Sequence, residues 1–337
     1  MVKKMKFLFV GLGSIGQRHL RNIKKLHPYS EILAYRTLNR KISLSNNQKL
    51  LKTNINKKYK IKLFKDYHEA LAEKPDAVFI CNPTSQHIKF ALEAAKKKIN
   101  IFIDKPISHN LKNLKNLKKI VEKNKTIFFV GYQLRFSEPL KFIKKIIEKE
   151  NLGKLCGANI YNGEFLPDYH KYEDYKITTM AQKKLGGGVI NSQIHELDYC
   201  LYLFGKPKRS FSKVGKYSQF KIDVEDYINS LIIFEKDNIA VNLTLDFFQR
   251  PPIREMSITG TKKILKWYYY KNKIELFDYF KNKKKIITFG KFNRNQMFIN
   301  QTKYFLNLLK KINSENISDI DNAIEAVKLS KNLKLNF

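Results

Sequence analysis

Three short stretches of this chain hold residues whose types and spacing can do chemistry. "GLGSIG" sets Gly11, Gly13 and Gly16 in a G-x-G-x-x-G pattern, "DKP" places Lys105 between Asp104 and Pro106, and "GGGVINSQIHELDY" carries His195. The first pattern suits a pyrophosphate: one glycine for a tight turn, one for close backbone approach, one for helix–strand packing. The second offers a cation at a turn. The third offers an imidazole, which titrates near neutrality and suits general acid–base work. Gly186–Gly188 raise a question, because a glycine-rich run into a helix is itself a phosphate-binding device, and a better one already stands near residue 11.

These residues need elements to position them. "KFLFVG" (6–11) reads as a buried strand, followed by a helix from Ser14 to about Leu26. "EILAYR" (31–36), "IKLF" (61–64), "DAVFICNP" (76–83), "NIFIDKP" (100–106) and "TIFFVGY" (126–132) read as further strands. Between them lie helical patterns: "DYHEALAEK" (66–74), Ile88/Ala91/Leu92/Ala95, and a run from Leu111 to Val121. Strands alternating with helices predict a Rossmann-like, doubly wound parallel sheet over residues 1–132. Past about residue 150 the texture changes. "YINSLIIFEK" (227–236), "NIAVNLTLDFF" (238–248) and "REMSITG" (254–260) lack helices between them and predict an open, mostly antiparallel sheet in a second domain, 133–337. Helical segments near 295–312 and 318–333 close the chain and can pack back on the first domain. The Lys/Asn-rich stretch 38–60 reads as a weakly defined insertion.

The glycine pattern follows a strand and opens a helix, so Gly11, Gly13, Ser14, Ile15 and Gly16 are candidate cofactor-binding residues. An acid at the end of the second strand would hold the ribose hydroxyl of NAD. Here Arg36 stands twenty residues past Gly16, with Thr37 and Arg40 following. A guanidinium suits a 2′-phosphate, which predicts NADP(H) in preference to NAD(H); stacking of Arg36 on an adenine would suit either. "CNPTSQH" ends a central strand at the edge where ligands lie. Asn82, Pro83, Thr84 and His87 are therefore cofactor candidates, Thr84 as a helix cap and His87 either as a surface residue or against the cofactor.

Composition narrows the class. The chain has 337 residues, 43% hydrophobic and 13% aromatic, which fits a globular protein of about two domains. Its net charge of +35 invites a nucleic-acid reading. The lysines, however, run along the whole chain among Asn and Ile, so no specific nucleic-acid partner is expected. The basic and apolar start resembles a signal peptide but is short and interrupted by glycine, and it reads as a strand. Cys81, Cys156 and Cys200 form neither a disulfide framework nor a metal pattern, which fits a reducing cytoplasm. No membrane span and no metal site are expected.

"GLGSIG", "NPTSQH", "DKPIS" and "GGG…HELD", in that order, resemble the Gfo/Idh/MocA oxidoreductases. "GEFLPDYHKYEDYK" further resembles members associated with bacterial surface-sugar biosynthesis. The resemblance implies an NAD(P)-dependent enzyme acting on a sugar or nucleotide-linked sugar, assembled as a dimer or tetramer through its second sheet. It implies that Asp104, Lys105 and Pro106 lie by the nicotinamide, with Asp replacing the family's Glu, and that Lys105 is catalytic. It also implies that the second glycine run is no phosphate loop and leads into the helix that brings catalytic His195 to the substrate. Many members carry an aspartate three residues before that histidine, where this chain has Ser192, preceded by Asn191. Serine is no proton acceptor at neutral pH, so His195 must carry the proton, with Lys105 or Tyr169 in support. The same departure keeps open a cofactor-binding sensor or regulatory protein with impaired catalysis. Arg135 in "YQLRF" as an anion clamp, Tyr169 and His170 as sugar-hydroxyl ligands, Asn191, Ser192, and Asp198 beside the histidine complete the candidate substrate contacts.

Overall fold

The computed structural model describes residues 4–36, 42–45, 47–312 and 315–335. The chain divides into two compact units: residues 1–132 with 295–324, and residues 133–294 with 325–337.

The first unit is built on strands β1 (Lys6–Val10), β2 (Glu31–Tyr35), β3 (Ser43–Leu44), β4 (Leu50–Leu51), β5 (Lys62–Phe64), β6 (Ala77–Ile80), β7 (Asn100–Ile103) and β8 (Phe128–Val130). Six of them form one parallel sheet in the order β5-β2-β1-β6-β7-β8, while β3 and β4 pair separately. That is the doubly wound order, and the sheet reverses its direction of growth at β1. Helices α1 (Ser14–Leu26), α2 (Ile55–Lys58), α3 (Tyr67–Ala72), α4 (His87–Lys96) and α5 (Leu114–Asn124) connect the strands. The central strands β1, β6 and β7 are apolar on both faces, as a sheet covered on both sides requires; Phe7, Leu8, Phe9, Phe79, Phe102 and Phe129 are all fully buried. On one face Phe79, Phe102 and Phe129 stack at 4.7 and 5.3 Å. Phe305 of the closing segment packs on all three. The stretch read as an insertion contributes β3, β4 and α2, and the Gln17 side chain fastens it by bonding Ile42 O and Leu44 N.

The second unit opens with α6 (Glu138–Glu148), capped by Ser137 on Leu140 N with Pro139 in its first turn. Its sheet comprises β9 (Leu155–Gly163), β10 (Pro207–Gly215), β11 (Tyr227–Phe234), β12 (Ala240–Asp246), β13 (Ile253–Gly260), β14 (Lys263–Tyr268), β15 (Lys273–Asp278) and β16 (Lys283–Thr288). Their order is β10-β11-β12-β9-β13-β14-β15-β16, antiparallel except between β12 and β9. Alternating burial along β13 marks a sheet with one covered face. Helices α7 (Val189–Ser192) and α8 (His195–Phe204) lie between β9 and β10 in the chain, and α9 (Arg294–Leu309) and α10 (Ile320–Leu333) follow the sheet. The single helix expected around His195 is therefore two, broken at Gln193 and Ile194, so His195 is the first residue of α8.

Candidate functional site

In the first unit the candidate residues gather at the carboxyl ends of β1, β6 and β7. Gly11 has φ +89° and a Cβ there would meet Asn82 N at 2.9 Å; one on Gly16 would meet Gly11 O at 2.3 Å. Both glycines are demanded by packing. Gly13 differs: a Cβ there would meet nothing within 4 Å, and Gly13 caps α1 with no side-chain hydrogen bond. The first turn of α1, with Ser14 and Ile15, thus presents open backbone N–H groups beside an exposed glycine, a cradle suited to an anion. These residues fit the pyrophosphate of a dinucleotide. Arg36 directly follows β2 and is half-buried, and burial pulls its guanidinium pKa down. Thr37 and Arg40 lie outside the described residues.

His87 is neither a surface residue nor exposed to a ligand. It is buried, with Nδ1 facing Pro106 O and Nε2 facing Asn82 O, each at 2.8 Å, and its burial lowers its pKa. It ties the Asn82–Pro83 turn to the turn holding Asp104, Lys105 and Pro106. Thr84 caps no helix: residues 84–86 form a 3-10 turn and α4 starts at His87 without a side-chain cap. Asp104 N bonds Ile80 O at 2.9 Å, which sets Lys105 at the carboxyl edge of the sheet. Beneath it, His19 of α1 is fully buried against Phe102 with Nε2 4.0 Å from Asp104 Oδ1. Burial pulls His19 down against the pull of that carboxylate.

In the second unit the glycine run is a packing device. Gly186 and Gly188 have φ of +84° and +101°, and a Cβ on Gly188 would lie 2.3 Å from Glu225 Oε1. Asn191 Nδ2 donates to Gly186 O and Gly187 O, both at 3.1 Å, and its Oδ1 accepts from Ser330 at 3.2 Å. Asn191 therefore braces the loop instead of facing a substrate. Helix α8 is anchored by two buried ion pairs. Arg254 Nε lies 2.8 Å from Glu196 Oε1, and Arg135 holds Asp198 through Nε and Nη2 at 2.7–3.1 Å. Arg135 and Asp198, read from the sequence as ligands for substrate, are instead each other's partners. Burial pushes the Asp198 carboxyl up, against the opposing pull of Arg135.

Tyr169 is half-buried; its hydroxyl accepts from Gln193 Nε2 at 3.2 Å, and the Glu164 carboxylate acts on it electrostatically. Gln193 Nε2 also donates to Asp246 O at 3.0 Å, which fixes the break ahead of His195. His170 Nδ1 faces Glu173 at 3.0 Å, and its ring stacks on Tyr172. Ser192 is half-buried at the end of α7. Glu164, Glu196, Gln193 and Arg254 were not candidates from the sequence. Glu196 had the clearest signal, as an acid directly after His195 and before an apolar residue in "IHEL"; Glu164 depended on recognising β9, whose small and polar residues hide it. Among the described residues no group of three or more His, Cys, Asp or Glu is placed to hold a metal ion. Nor is any described helix long and apolar enough to cross a membrane.

A doubly wound sheet with a bare glycine cradle at its switch point defines a dinucleotide-binding protein of the Rossmann class. Family models agree: "Oxidoreductase family, NAD-binding Rossmann fold" matches residues 5–132, and the GFO/IDH/MocA C-terminal domain matches residues 140–266. The chain belongs to the Gfo/Idh/MocA family. It is 28% identical over 210 residues to myo-inositol 2-dehydrogenase of Thermotoga maritima, covering 60% of this chain and 55% of that protein. It is 26% identical over 218 residues to scyllo-inositol 2-dehydrogenase (NAD(+)) of Bacillus subtilis, covering 64% and 58%. The matches thus span little more than half the length of these relatives. The fold is also that of the WlbA dehydrogenase from Bordetella pertussis, solved with NADH and UDP-GlcNAcA (TM-score 0.79, 16% identity, 99% of this chain and 98% of that one). UDP-N-acetylglucosamine 3-dehydrogenase from Acidithiobacillus ferrooxidans shares it as well (TM-score 0.77, 16% identity, 99% and 98%).

Proposed function

We propose that this protein is an NAD(P)-dependent oxidoreductase acting on a CH–OH or ketone carbon of a sugar, polyol or nucleotide-linked sugar. The observation that carries the reading is the cradle at Gly11–Gly16, open at Gly13 where every neighbouring glycine is filled by packing. The names of the relatives, inositol and nucleotide-sugar dehydrogenases, favour the substrate class. A bound nicotinamide supplies the hydride acceptor or donor. Lys105, at the carboxyl edge of β7, polarises the reacting oxygen with its ammonium group. His195, at the start of α8, takes the hydroxyl proton on oxidation and returns it on reduction, a task suited to an imidazole. The ion pairs at Glu196 and Asp198 and the Gln193 brace hold that helix start still. Arg36 favours the 2′-phosphate of NADP(H), with NAD(H) also accepted. A homo-oligomer in the cytoplasm completes the reading; the exposed Phe211 and Leu231, register neighbours on β10 and β11, favour such assembly.

The test is a fluorescence titration with NADPH and NADH, followed by turnover of myo-inositol and UDP-N-acetylglucosamine. Arg36→Asp should weaken NADPH binding by at least about tenfold and spare NADH. Lys105→Ala and His195→Ala should each lower kcat/KM by about 10²–10⁴ with cofactor affinity unchanged. Full activity in both variants would remove the assigned site. Cofactor binding with no turnover of any sugar would instead favour a sensor, and binding of neither cofactor would overturn the reading.

A further inference from the structure

Glu164, the first residue after β9, has no part in the reaction described above, yet the fold builds a specific setting for it. Its Oε1 accepts from the Tyr270 hydroxyl at 3.0 Å, and the Tyr169 hydroxyl lies close enough to act on the same carboxylate. Tyr169 is bonded by Gln193, which stands two residues before His195. The carboxylate thus neighbours a tyrosine that is bonded to the turn carrying the proposed proton acceptor. Arg254 and Arg294 both act on it electrostatically, and Arg254 already has an ion-pair partner in Glu196 at 2.8 Å.

Two further properties suit Glu164 to a ligand. It is half-buried, where Glu196 is sealed from solvent. Burial works against its charge, but Arg254, Arg294 and the two tyrosine hydroxyls outweigh it and hold the carboxyl below its usual range. It thus stays an acceptor at neutral pH, and of the roughly four acceptor positions of an ionised carboxylate the Tyr270 hydroxyl uses one. Tyr270 beside it packs on Tyr269 and Phe292 at ring distances of 5.1 and 6.2 Å, an aromatic wall next to a hydrogen-bond acceptor. Few fixed polar groups set against apolar rings is how a small-molecule site combines orientation with burial. A ring that offers neighbouring hydroxyls on an apolar C–H framework matches that pairing.

We propose that Glu164, oriented by Tyr169 and Tyr270, is a specificity-determining residue that accepts hydrogen bonds from neighbouring hydroxyls of a polyol or sugar ring. The proposal rests on the oxidoreductase reading above. The experiment compares wild type, Glu164→Gln and Tyr270→Phe in steady-state oxidation of myo-inositol and of UDP-N-acetylglucosamine, with NADH titrated separately. Glu164→Gln keeps the shape and removes the charge, so KM for the accepted probe should rise about tenfold or more, the size of a lost charged hydrogen bond. Its kcat should stay within about threefold and its NADH affinity should not move. Tyr270→Phe leaves the carboxylate but loosens it, and should raise KM by a smaller factor of about two to five. If wild type turns over a probe and Glu164→Gln keeps its KM, or loses kcat in step with folded protein alone, this proposal falls while the parent reading stands. If wild type neither binds nor oxidises either probe while binding NADH, the parent substrate class falls and this proposal with it.

Discussion

Replacing Asp198 by alanine tests whether charge burial holds the start of α8. The carboxylate receives Arg135 Nε at 3.0 and 3.1 Å and Nη2 at 2.7 Å, and the two side chains are only 1% and 2% exposed. The guanidinium also lies 5.0 Å from the Tyr202 ring, which gives it an attractive face but no counter-charge. Asp198→Ala leaves that charge buried, and breaking one partner of a buried pair costs about 3–5 kcal/mol. In a domain of this size each kcal/mol moves the midpoint by roughly 2–4 °C, so the variant should melt about 6–20 °C lower. The double variant Arg135→Leu/Asp198→Leu removes both charges and their desolvation together, and should recover most of the loss. Differential scanning calorimetry of the full chain reads both. A single variant costing under about 1 kcal/mol would mean the pair behaves like a solvated surface pair, contrary to its burial. A double variant as damaged as the single one would mean that packing, not charge, is what Asp198 supplies.

Further outcomes follow from the same geometry. Alanine should behave oppositely at two glycines: Gly188→Ala collides with Glu225 at a φ of +101° and should cost about 2 kcal/mol or more, read as a melting-point loss. Gly13→Ala enters open space at a φ of −70°, so it should leave stability intact but weaken NADH binding by about tenfold or more; equal effects at both sites would contradict the cradle. Lys273 and Lys284 push the Glu275 carboxyl down to about 2. Its contribution to stability is therefore complete above the ordinary carboxyl value of 4.5 and is lost as pH falls from there toward about 2. Thermal midpoints of Glu275→Gln should fall less steeply than wild type across that window, and parallel curves would show that the two lysines do not hold it.

Much of the first unit was legible because its signals are local. A buried parallel strand is a short apolar run, a glycine pattern needs only its neighbours, and the i, i+3, i+4 recurrence of α4 lies within one helix. The parallel sheet and the glycine pattern at its first turn follow from such runs, whereas the order of its strands is a tertiary fact. The second unit was read only in part. β11, β12 and β13 are rich in branched residues and stand out, whereas β9 carries small and polar residues and β16 reads "KKKIIT", so neither shows an apolar period.

The residue types alone therefore determined that this chain has a dinucleotide-binding unit, a lysine after its fifth parallel strand and a histidine-bearing helix after a glycine run. Tertiary structure decided what surrounds them. That Gly188 stands against Glu225, that His87 links Asn82 to Pro106, and that Arg135 belongs to Asp198 sixty-three residues away are long-range facts, which no spacing encodes. An arginine in a sequence is a charge awaiting any partner, and only burial selects one, because in a low-dielectric interior an unpaired charge is too costly to keep.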